Sequence, residues 1–284
     1  MITFVLLFKA KTLQVIFMVI VRILGGLGNQ MFQYAYARSL YLKGYDVKLD
    51  ISKFKTYKLH GGYQLDKFKI DLEIADSISI LLGKIGLKPS IKEKSLLFNG
   101  DFKSLKGNEY VKGYFQTEKY FNEIRETLLS EFVINQKLSI NTQKMEQQIL
   151  ATKNSCSLHI RRGDYISDKK ANKVHGTCDL AYYYKAIEFI NKKIIDTTFY
   201  IFSDDIPWTK EKLKINKVVF VDINSIPHED MYLMSLCHHN ITANSSFSWW
   251  GAWLNNNKKK TVIAPKNWFV EKKNEVACEN WIKL

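Results

Sequence analysis

Two arginines stand side by side in Leu158-His159-Ile160-Arg161-Arg162-Gly163-Asp164-Tyr165, directly after residues typical of a buried strand. A guanidinium stays charged and grips phosphate oxygens through two parallel hydrogen bonds. Consecutive side chains on a strand point in opposite directions. One arginine therefore suits a pyrophosphate, while its neighbour braces Asp164 or the loop. A departing diphosphate gathers charge that a metal ion or protein cations must absorb. No Asp-x-Asp motif stands at a strand end; Ser203-Asp204-Asp205 comes nearest and lacks the spacing. The arginine solution fits better than a metal. The plainer alternative is a surface cluster of ion pairs.

A second polar run is Thr242-Ala243-Asn244-Ser245-Ser246-Phe247-Ser248-Trp249-Trp250-Gly251-Ala252-Trp253. Asn and Ser cap helices, but Asn244, Ser245, Ser246 and Ser248 exceed what one cap needs. Such a turn suits a second phosphate or ribose hydroxyls; an elaborate cap on a core helix is the alternative. The tryptophans read as packing. A third run, Gly25-Gly26-Leu27-Gly28-Asn29-Gln30, places backbone N–H groups at a helix start, where anions or hydroxyl-rich ligands bind. Asn29 and Gln30 supply amides, which read sugar hydroxyls well; a merely tight turn explains the glycines equally. It is not a dinucleotide fingerprint, because Met31 stands where the third glycine belongs. Cys237-His238-His239 has no acidic or cysteine partner at metal-binding spacing, so no metal site is expected.

These motifs need elements to hold them. Met18 to Leu24 reads as a buried strand leading into the glycine loop. A helical pattern follows, with Phe32, Tyr36, Ser39 and Leu40 on one face, and Lys43-Gly44 stops it. Val47 to Ile51 is a second strand, residues 71–98 are helical and irregular, and Tyr110 to Phe115 is a strand. The polar interval from Glu131 to Lys153 separates the halves. The β/α rhythm then restarts with strands at Ser155–Ile160, Phe199–Phe202, Val218–Val221, Asn240–Ala243 and Thr261–Ala264. Helices are expected at Ala181–Lys193, with Tyr183, Ile187 and Ile190 inward, at Glu229–Cys237 and at Phe247–Leu254. The expectation is an α/β protein with two Rossmann-like domains facing a cleft, residues 18–145 and 146–284. Residues 1–17 form an N-terminal extension before the first strand.

The chain has 284 residues, 46% of them apolar, and a formal charge of +14. A positive potential of that size attracts nucleic acid, an anionic membrane surface or a charged substrate such as a sugar nucleotide. No zinc-finger spacing and no RNA-recognition signature accompanies it, so no nucleic-acid partner is expected. The four scattered cysteines contain no C-x-x-C pair, which fits a reducing cytoplasm. Charges at Lys9, Lys11 and Arg22 interrupt the N-terminal apolar runs. Neither run reaches the roughly 18 to 20 apolar residues of a membrane span.

The order and spacing of these motifs resemble bacterial α-1,2-fucosyltransferases of glycosyltransferase family eleven. The likeness runs from Met18 to Trp281. It includes His60-Gly61-Gly62-Tyr63, Gly113-Tyr114-Phe115-Gln116, His175-Gly176, Phe202-Ser203-Asp204-Asp205 and Pro265-Lys266-Asn267-Trp268. The Arg-Arg-x-Asp core is shared with α-1,6- and protein-O-fucosyltransferases. The resemblance implies a GT-B fold, GDP-β-L-fucose as donor, inversion at the sugar carbon and no cofactor or required metal. It implies a galactose-terminated glycan as acceptor, in O-antigen, capsule or other surface glycan synthesis. The donor side would comprise His159, Arg161, Arg162, Ser203, Asp204, Asn244, Ser245, Ser246 and Ser248. The acceptor or donor-sugar side would comprise Gly26, Gly28, Asn29, Gln30 and His60. Asp164 is the candidate base; it has an alternative role orienting Arg162 or the fucose hydroxyls, and His60 and Glu229 are alternative bases. Location is expected in the cytoplasm, with peripheral contact with the inner membrane surface open to so basic a chain. The competing readings are another GT-B transferase, a different fucosyl linkage, and a basic nucleic-acid-binding protein.

Overall fold

A computed structural model describes residues 17–57, 59–163, 176–223, 226–270 and 273–284. Asp164, Tyr165 and His175, and all but Phe17 of the expected extension, lie outside the described residues. The chain divides into two compact units, Met1–Asn135 and Gln136–Leu284.

The first unit is built on a parallel sheet of four strands: β1 (Val19–Arg22), β2 (Val47–Asp50), β3 (Ser90–Lys92) and β4 (Tyr110–Lys112), in the order β2-β1-β4-β3. Helix α1 (Leu27–Leu42) follows β1 directly. The sequence pattern predicts one apolar face, yet α1 is buried without interruption from Gln30 to Leu40. Its one buried cation, Arg38, pairs with Glu131, Nε donating at 2.7 Å and Nη2 lying 2.7 Å from the same oxygen, and Nη2 also lies 2.9 Å from Asp71 Oδ2. Tyr34 donates its hydroxyl to the other Glu131 oxygen at 2.5 Å. Glu131 ends helix α3 (Arg125–Glu131), so the buried cluster ties α1 to α3. Between them lies α2 (Ser77–Lys84), capped by Asp76, whose Oδ1 accepts from the N–H groups of Ile78 and Ser79. The interval read as helical and irregular thus holds one helix and the edge strand β3.

The second unit contains a six-stranded parallel sheet: β5 (Ser155–Ile160), β6 (Thr198–Ser203), β7 (Val218–Phe220), β8 (His239–Ile241), β9 (Val262–Ala264) and β10 (Ile282–Lys283), in the order β10-β9-β8-β5-β6-β7. Its helices are α4 (Ile140–Ala151), α5 (Leu180–Lys193), α6 (Ile206–Lys212), α7 (Pro227–Leu236) and α8 (Ser246–Leu254). Side-chain alternation assigns the two faces. Phe199 and Ile201 join Tyr183, Ile187 and Ile190 of α5 in one core, while Tyr200 and Phe202 pack with Met145 and Ile149 of α4 and Leu233 and Met234 of α7. A sheet covered on both faces by helices is the doubly wound α/β arrangement that the strand-helix rhythm predicts. Strand β5 is uneven: Cys156, Leu158 and Ile160 enter the first core, while Ser155, Ser157 and His159 alternate with them, all buried. Ser155 and Ser157 are paired, Ser155 Oγ to His238 Nδ1 at 2.9 Å and Ser157 Oγ accepting from Asn240 Nδ2 at 2.7 Å.

Candidate active site

In each sheet one strand begins the winding and its neighbours run outward in opposite directions, and ligands gather at the carboxyl ends beside that strand. In the second sheet this strand is β5, flanked by β8 and β6. The three polar segments Arg161–Gly163, Asn244–Ser248 and Ser203–Asp205 leave the carboxyl ends of β5, β8 and β6, so the sheet register brings them together.

Acids hold both arginines. Arg161 Nη1 lies 2.9 Å from Asp204 Oδ2, and both side chains stay partly exposed. Asp204 Oδ1 also accepts the backbone N–H of Arg162 at 2.9 Å. Arg162 Nε meets Asp205 Oδ2 at 3.3 Å, and its guanidinium lies 3.5 Å from the centre of the Trp208 ring. Asp205 caps α6 by accepting from Trp208 N at 3.1 Å, and Ser203 Oγ accepts from Asp205 N at 3.0 Å. Gly163 makes the arrangement sterically possible, since a Cβ there would stand 2.6 Å from Asp204 Oδ2. The two arginines therefore pair with different, adjacent acids. Arg162 braces the loop, through Asp205 and Trp208, while Arg161 is a tethered cation at the rim. The ion-pair cluster raised as the alternative is present as well, and Asp204 is its centre.

His159 is buried beside them, its ring 5.7 Å from that of Phe247 on α8. Burial, assisted by the Arg161 charge, drives its pKa down to about 3, so the imidazole is neutral at physiological pH. Its Nδ1 finds no hydrogen-bond partner among the described residues. A buried polar nitrogen left unpaired is uncommon and calls for a reason.

The β8–α8 turn uses most of its polar groups internally. Asn244 Nδ2 donates to Gly176 O at 3.2 Å and to Trp268 O at 3.5 Å. Ser245 caps α8 by accepting from Phe247 N at 3.3 Å. Ser248 Oγ accepts from Ala243 N at 3.2 Å and donates to Ser245 O at 3.3 Å. Asn244, Ser245 and Ser248 thus shape the turn. Ser246, in the first turn of α8 and half-buried, is the polar side chain left without such a bond among the described residues. Trp249, Trp250 and Trp253 are core residues; Trp249 Nε1 donates to Val276 O at 2.7 Å. Glu229 is structural too. Burial opposes its ionisation, but bonds from Thr142 Oγ1 at 2.6 Å and Ser139 N at 2.8 Å outweigh that and hold its carboxyl below the usual range. Both oxygens are engaged in tying α7 to the start of α4, which removes Glu229 from the alternatives for a base.

In the first unit the glycine loop leaves β1, between β2 and β4. Gly25 adopts φ +90, and a Cβ there would meet Asn29 Nδ2 at 2.9 Å. The side chain of Gln30 is fully buried and fully used. Its Nε2 donates to Gly25 O and Gly62 O, each at 2.8 Å, and its Oε1 accepts from Gln64 N at 2.9 Å. Gln30 is accordingly a clamp that seats loop 60–64 on the glycine loop, not an amide presented to a sugar. The clamp brings His60, in a left-handed conformation at φ 56, to Gly26, where a Cβ would stand 3.4 Å from His60 Cβ. Gln33 performs the same service one turn later, accepting from Leu24 N at 2.7 Å and donating to Gly113 O at 3.0 Å. Asn29 Oδ1 accepts from Gln116 Nε2 at 2.6 Å. What faces solvent here is His60, the partly exposed Asn29 and Gly26, and the start of α1, which no side chain caps. Of the bracing residues, Gln116 lies in the Gly113–Gln116 run and Gln33 just beyond the glycine run, and neither carries a role in the sequence reading. Trp208 carried no sequence signal, because only the fold places it under Arg162.

The sequence matches the model of glycosyl transferase family 11 over residues 3–284. The chain belongs to that family. It is 38% identical to the alpha-1,2-colitosyltransferase of Escherichia coli, over 94% of this chain and 98% of that protein. It is 33% identical to the Escherichia coli O-antigen biosynthesis glycosyltransferase WbnK, over 92% of this chain and 98% of that protein. Among solved structures, the fucosyltransferase NodZ from Bradyrhizobium aligns over 82% of this chain and 91% of that one, at 13% identity and a TM-score of 0.48. This family 11 chain is therefore a glycosyltransferase, with an α/β architecture of parallel sheets, and is similar to a bacterial colitosyltransferase and a bacterial O-antigen biosynthesis glycosyltransferase. No helix among its described residues is long and apolar enough to cross a membrane.

Proposed function

We propose that this glycosyltransferase moves L-fucose from GDP-β-L-fucose to the 2-hydroxyl of a galactoside, with inversion at the sugar carbon and without a metal ion, during synthesis of a surface glycan. The second unit takes the nucleotide and the first receives the acceptor. The observation that carries the reading is the convergence, at the ends of β5 and β8, of a tethered cation (Arg161), a buried imidazole nitrogen without a partner (His159) and a hydroxyl at a helix start (Ser246). Such a set suits a nucleoside diphosphate: Arg161 and the N-terminus of α8 meet the phosphates, and His159 meets a polar group of the nucleoside. As the glycosidic bond breaks, negative charge grows on the diphosphate and positive charge on the sugar ring. Arg161 stabilises the first directly. Arg162, held by Asp205 and Trp208, fixes the strand tip from which Arg161 projects.

The attacking hydroxyl loses its proton to Asp164, with His60 as the alternative base on the acceptor side. The resemblance of the motifs to α-1,2-fucosyltransferases supports fucose as the donor sugar. The colitosyl activity named for the relative at 38% identity supports a second reading, colitose in place of fucose. The enzyme works on the cytoplasmic side of the inner membrane, in peripheral contact with it, a reading that rests on the charge of +14. The deciding experiment measures GDP release with lactose as acceptor, from GDP-fucose and from GDP-colitose, each with and without chelator. Release from GDP-fucose unaffected by chelator is expected. Release from GDP-colitose alone transfers the reading to colitose, and loss of both on chelation refutes the metal-free mechanism.

A further inference from the structure

Helix α2 buries Ile80 but leaves two of its large apolar residues, Ile78 and Leu81, on the side opposite to the core. Its inward positions are Ser79, Ile80 and Gly83. Gly83 is pressed so close to Tyr110 that a Cβ would stand 2.4 Å from a ring carbon. Ser79 turns its hydroxyl to Asp76 Oδ2 at 2.6 Å. The outward stripe is Ile78, 67% exposed, Leu81, 54%, and Ile85, 58%, at helical spacing, and Leu87, 71%, extends it. The core beneath is already closed by Met18, Ile20, Ala75, Ile80 and Tyr110. Folding therefore gives no account of four large aliphatic side chains in water within ten residues of sequence. Contiguous exposed apolar surface of this kind marks an interaction site.

The charges around the stripe indicate its partner. Lys84 closes α2 and reaches Ser52 Oγ at 2.7 Å, which brings the turn Ser52–Lys55, with Lys53 and Lys55 exposed, alongside. Lys92 and Lys94, on and just after β3, are exposed as well. The nearby acids are turned to backbone: Asp76 accepts from Ile78 and Ser79, and Glu93 Oε2 accepts from Tyr114 N at 2.7 Å and Phe115 N at 3.1 Å. The rim thus carries five ammonium groups, those of Lys53, Lys55, Lys84, Lys92 and Lys94, against the carboxylates of Asp76 and Glu93. A second copy of a chain carrying +14 would be repelled, whereas an anionic surface is attracted.

We propose that α2 and the segment through Leu87 form the docking face for a bilayer rich in anionic phospholipid. Ile78, Leu81, Ile85 and Leu87 enter the boundary between headgroups and acyl chains, and the surrounding lysines meet lipid phosphates. Interfacial helices lie in the membrane plane, sunk by roughly 5–10 Å, with basic residues at headgroup level. The inference locates the peripheral contact included in the reading above and depends on nothing about the donor sugar.

The test is co-sedimentation of the full chain with vesicles of phosphatidylglycerol and phosphatidylcholine, and with vesicles of phosphatidylcholine alone. Wild type is compared with the triple variant Ile78→Ser, Leu81→Ser, Ile85→Ser. Circular dichroism and transfer to lactose report folding independently. The expected result is binding to anionic vesicles that weakens by about tenfold or more on neutral ones and in the triple variant, with transfer to lactose unchanged. Equal binding by wild type and variant overturns this location and leaves peripheral contact standing. No binding by wild type overturns both. A wild-type dimer that the variant converts to monomer shows that the face joins two copies, and overturns the proposal. A second measurement uses Leu81→Cys carrying an environment-sensitive dye: a blue shift with anionic vesicles is expected, and no shift overturns the inference.

Discussion

Replacing Arg161 by alanine should reduce transfer by more than the loss of one contact. One preorganised charge contact to a departing group is worth about 3 kcal/mol, near a hundredfold in rate. The second cost arises from Asp204. In the wild type its Oδ2 is paired with Arg161 Nη1 at 2.9 Å, so an incoming diphosphate meets a neutralised pair. In the alanine variant the carboxylate is uncovered beside the phosphates. Two like charges about 5 Å apart at an effective dielectric of 20 repel by roughly 3 kcal/mol, and partial exposure of the pair lowers this to about 1 kcal/mol. The expected loss in kcat/KM for Arg161→Ala is thus about 4 kcal/mol, nearly a thousandfold. The double variant Arg161→Ala, Asp204→Asn should recover about fivefold of it, since the asparagine keeps an acceptor for Arg162 N but carries no charge. Arg161→Lys, which keeps charge without the two-pronged geometry, should fall between wild type and alanine. The assay is GDP release from GDP-fucose with lactose, alongside thermal unfolding to show that the variants remain folded. A single variant within about threefold of wild type retires Arg161 from the diphosphate. A double variant no better than the single removes Asp204 from the explanation.

Gln30→Ala should destabilise the protein by about 3 kcal/mol, because Gly25 O, Gly62 O and Gln64 N lose a buried partner together. A shifted urea midpoint with a raised acceptor KM is expected, and an unchanged KM would show that seating His60 plays no part in acceptor binding. Gly83→Ala should cost about 2 kcal/mol through overpacking, because the Tyr110 ring it would strike is anchored by its hydroxyl to Asp50. A neutral substitution there would show that α2 is not pressed against the sheet. His159 makes stability depend on pH. Its folded pKa of about 3 lies below the unfolded value of 6.5. The unfolded chain therefore binds a proton first as pH falls, and stability is lost below pH 6.5. The slope is about 1.4 kcal/mol per unit, or about 2 kcal/mol by pH 5. Urea unfolding of wild type and His159→Gln at pH 7 and pH 5 should differ by that amount, and parallel losses would refute the buried neutral imidazole.

How much of this was legible in sequence depended on which way side chains face. The second unit follows strand alternation, and Tyr183, Ile187 and Ile190 point inward as the helical pattern predicts. Residues 71–98 resisted reading because α2 buries Ser79 and Gly83 beside Ile80 while exposing Ile78 and Leu81, and β3 is a three-residue edge strand with an exposed, partly exposed, exposed pattern. Hydrophobic periodicity locates the core only when the core is where apolar residues go. Helix α1 failed differently. Neighbours cover it on all sides, and its polar residues pair with distant partners such as Glu131 and Gly113 that spacing does not reveal. In the site, residue types suggested candidates, and the structure shows what each side chain touches. Adjacent amides at Asn29 and Gln30 look alike in sequence. Only their partners separate a buried clamp from a partly exposed group.

The two sheets use the same position for opposite purposes. Each places a polar loop at the carboxyl end of the strand where its winding reverses, β1 in one and β5 in the other. The loop after β1 is held by neutral amides, Gln30 and Gln33, and the loop after β5 is held by carboxylates, Asp204 and Asp205. An amide clamp adds no net charge, so what docks on the glycine loop is met by shape and hydrogen bonds, as an uncharged sugar would be. The carboxylate clamp matches each arginine with an acid, so the resting loop carries little net field. A single negative charge gains little by displacing Asp204 from Arg161. A diphosphate, with more charge and more acceptor oxygens, competes far better. If the second unit takes a nucleoside diphosphate as proposed, the Arg161–Asp204 pair would act as a threshold against single anions, and phosphate should then inhibit the wild type weakly but Asp204→Asn strongly.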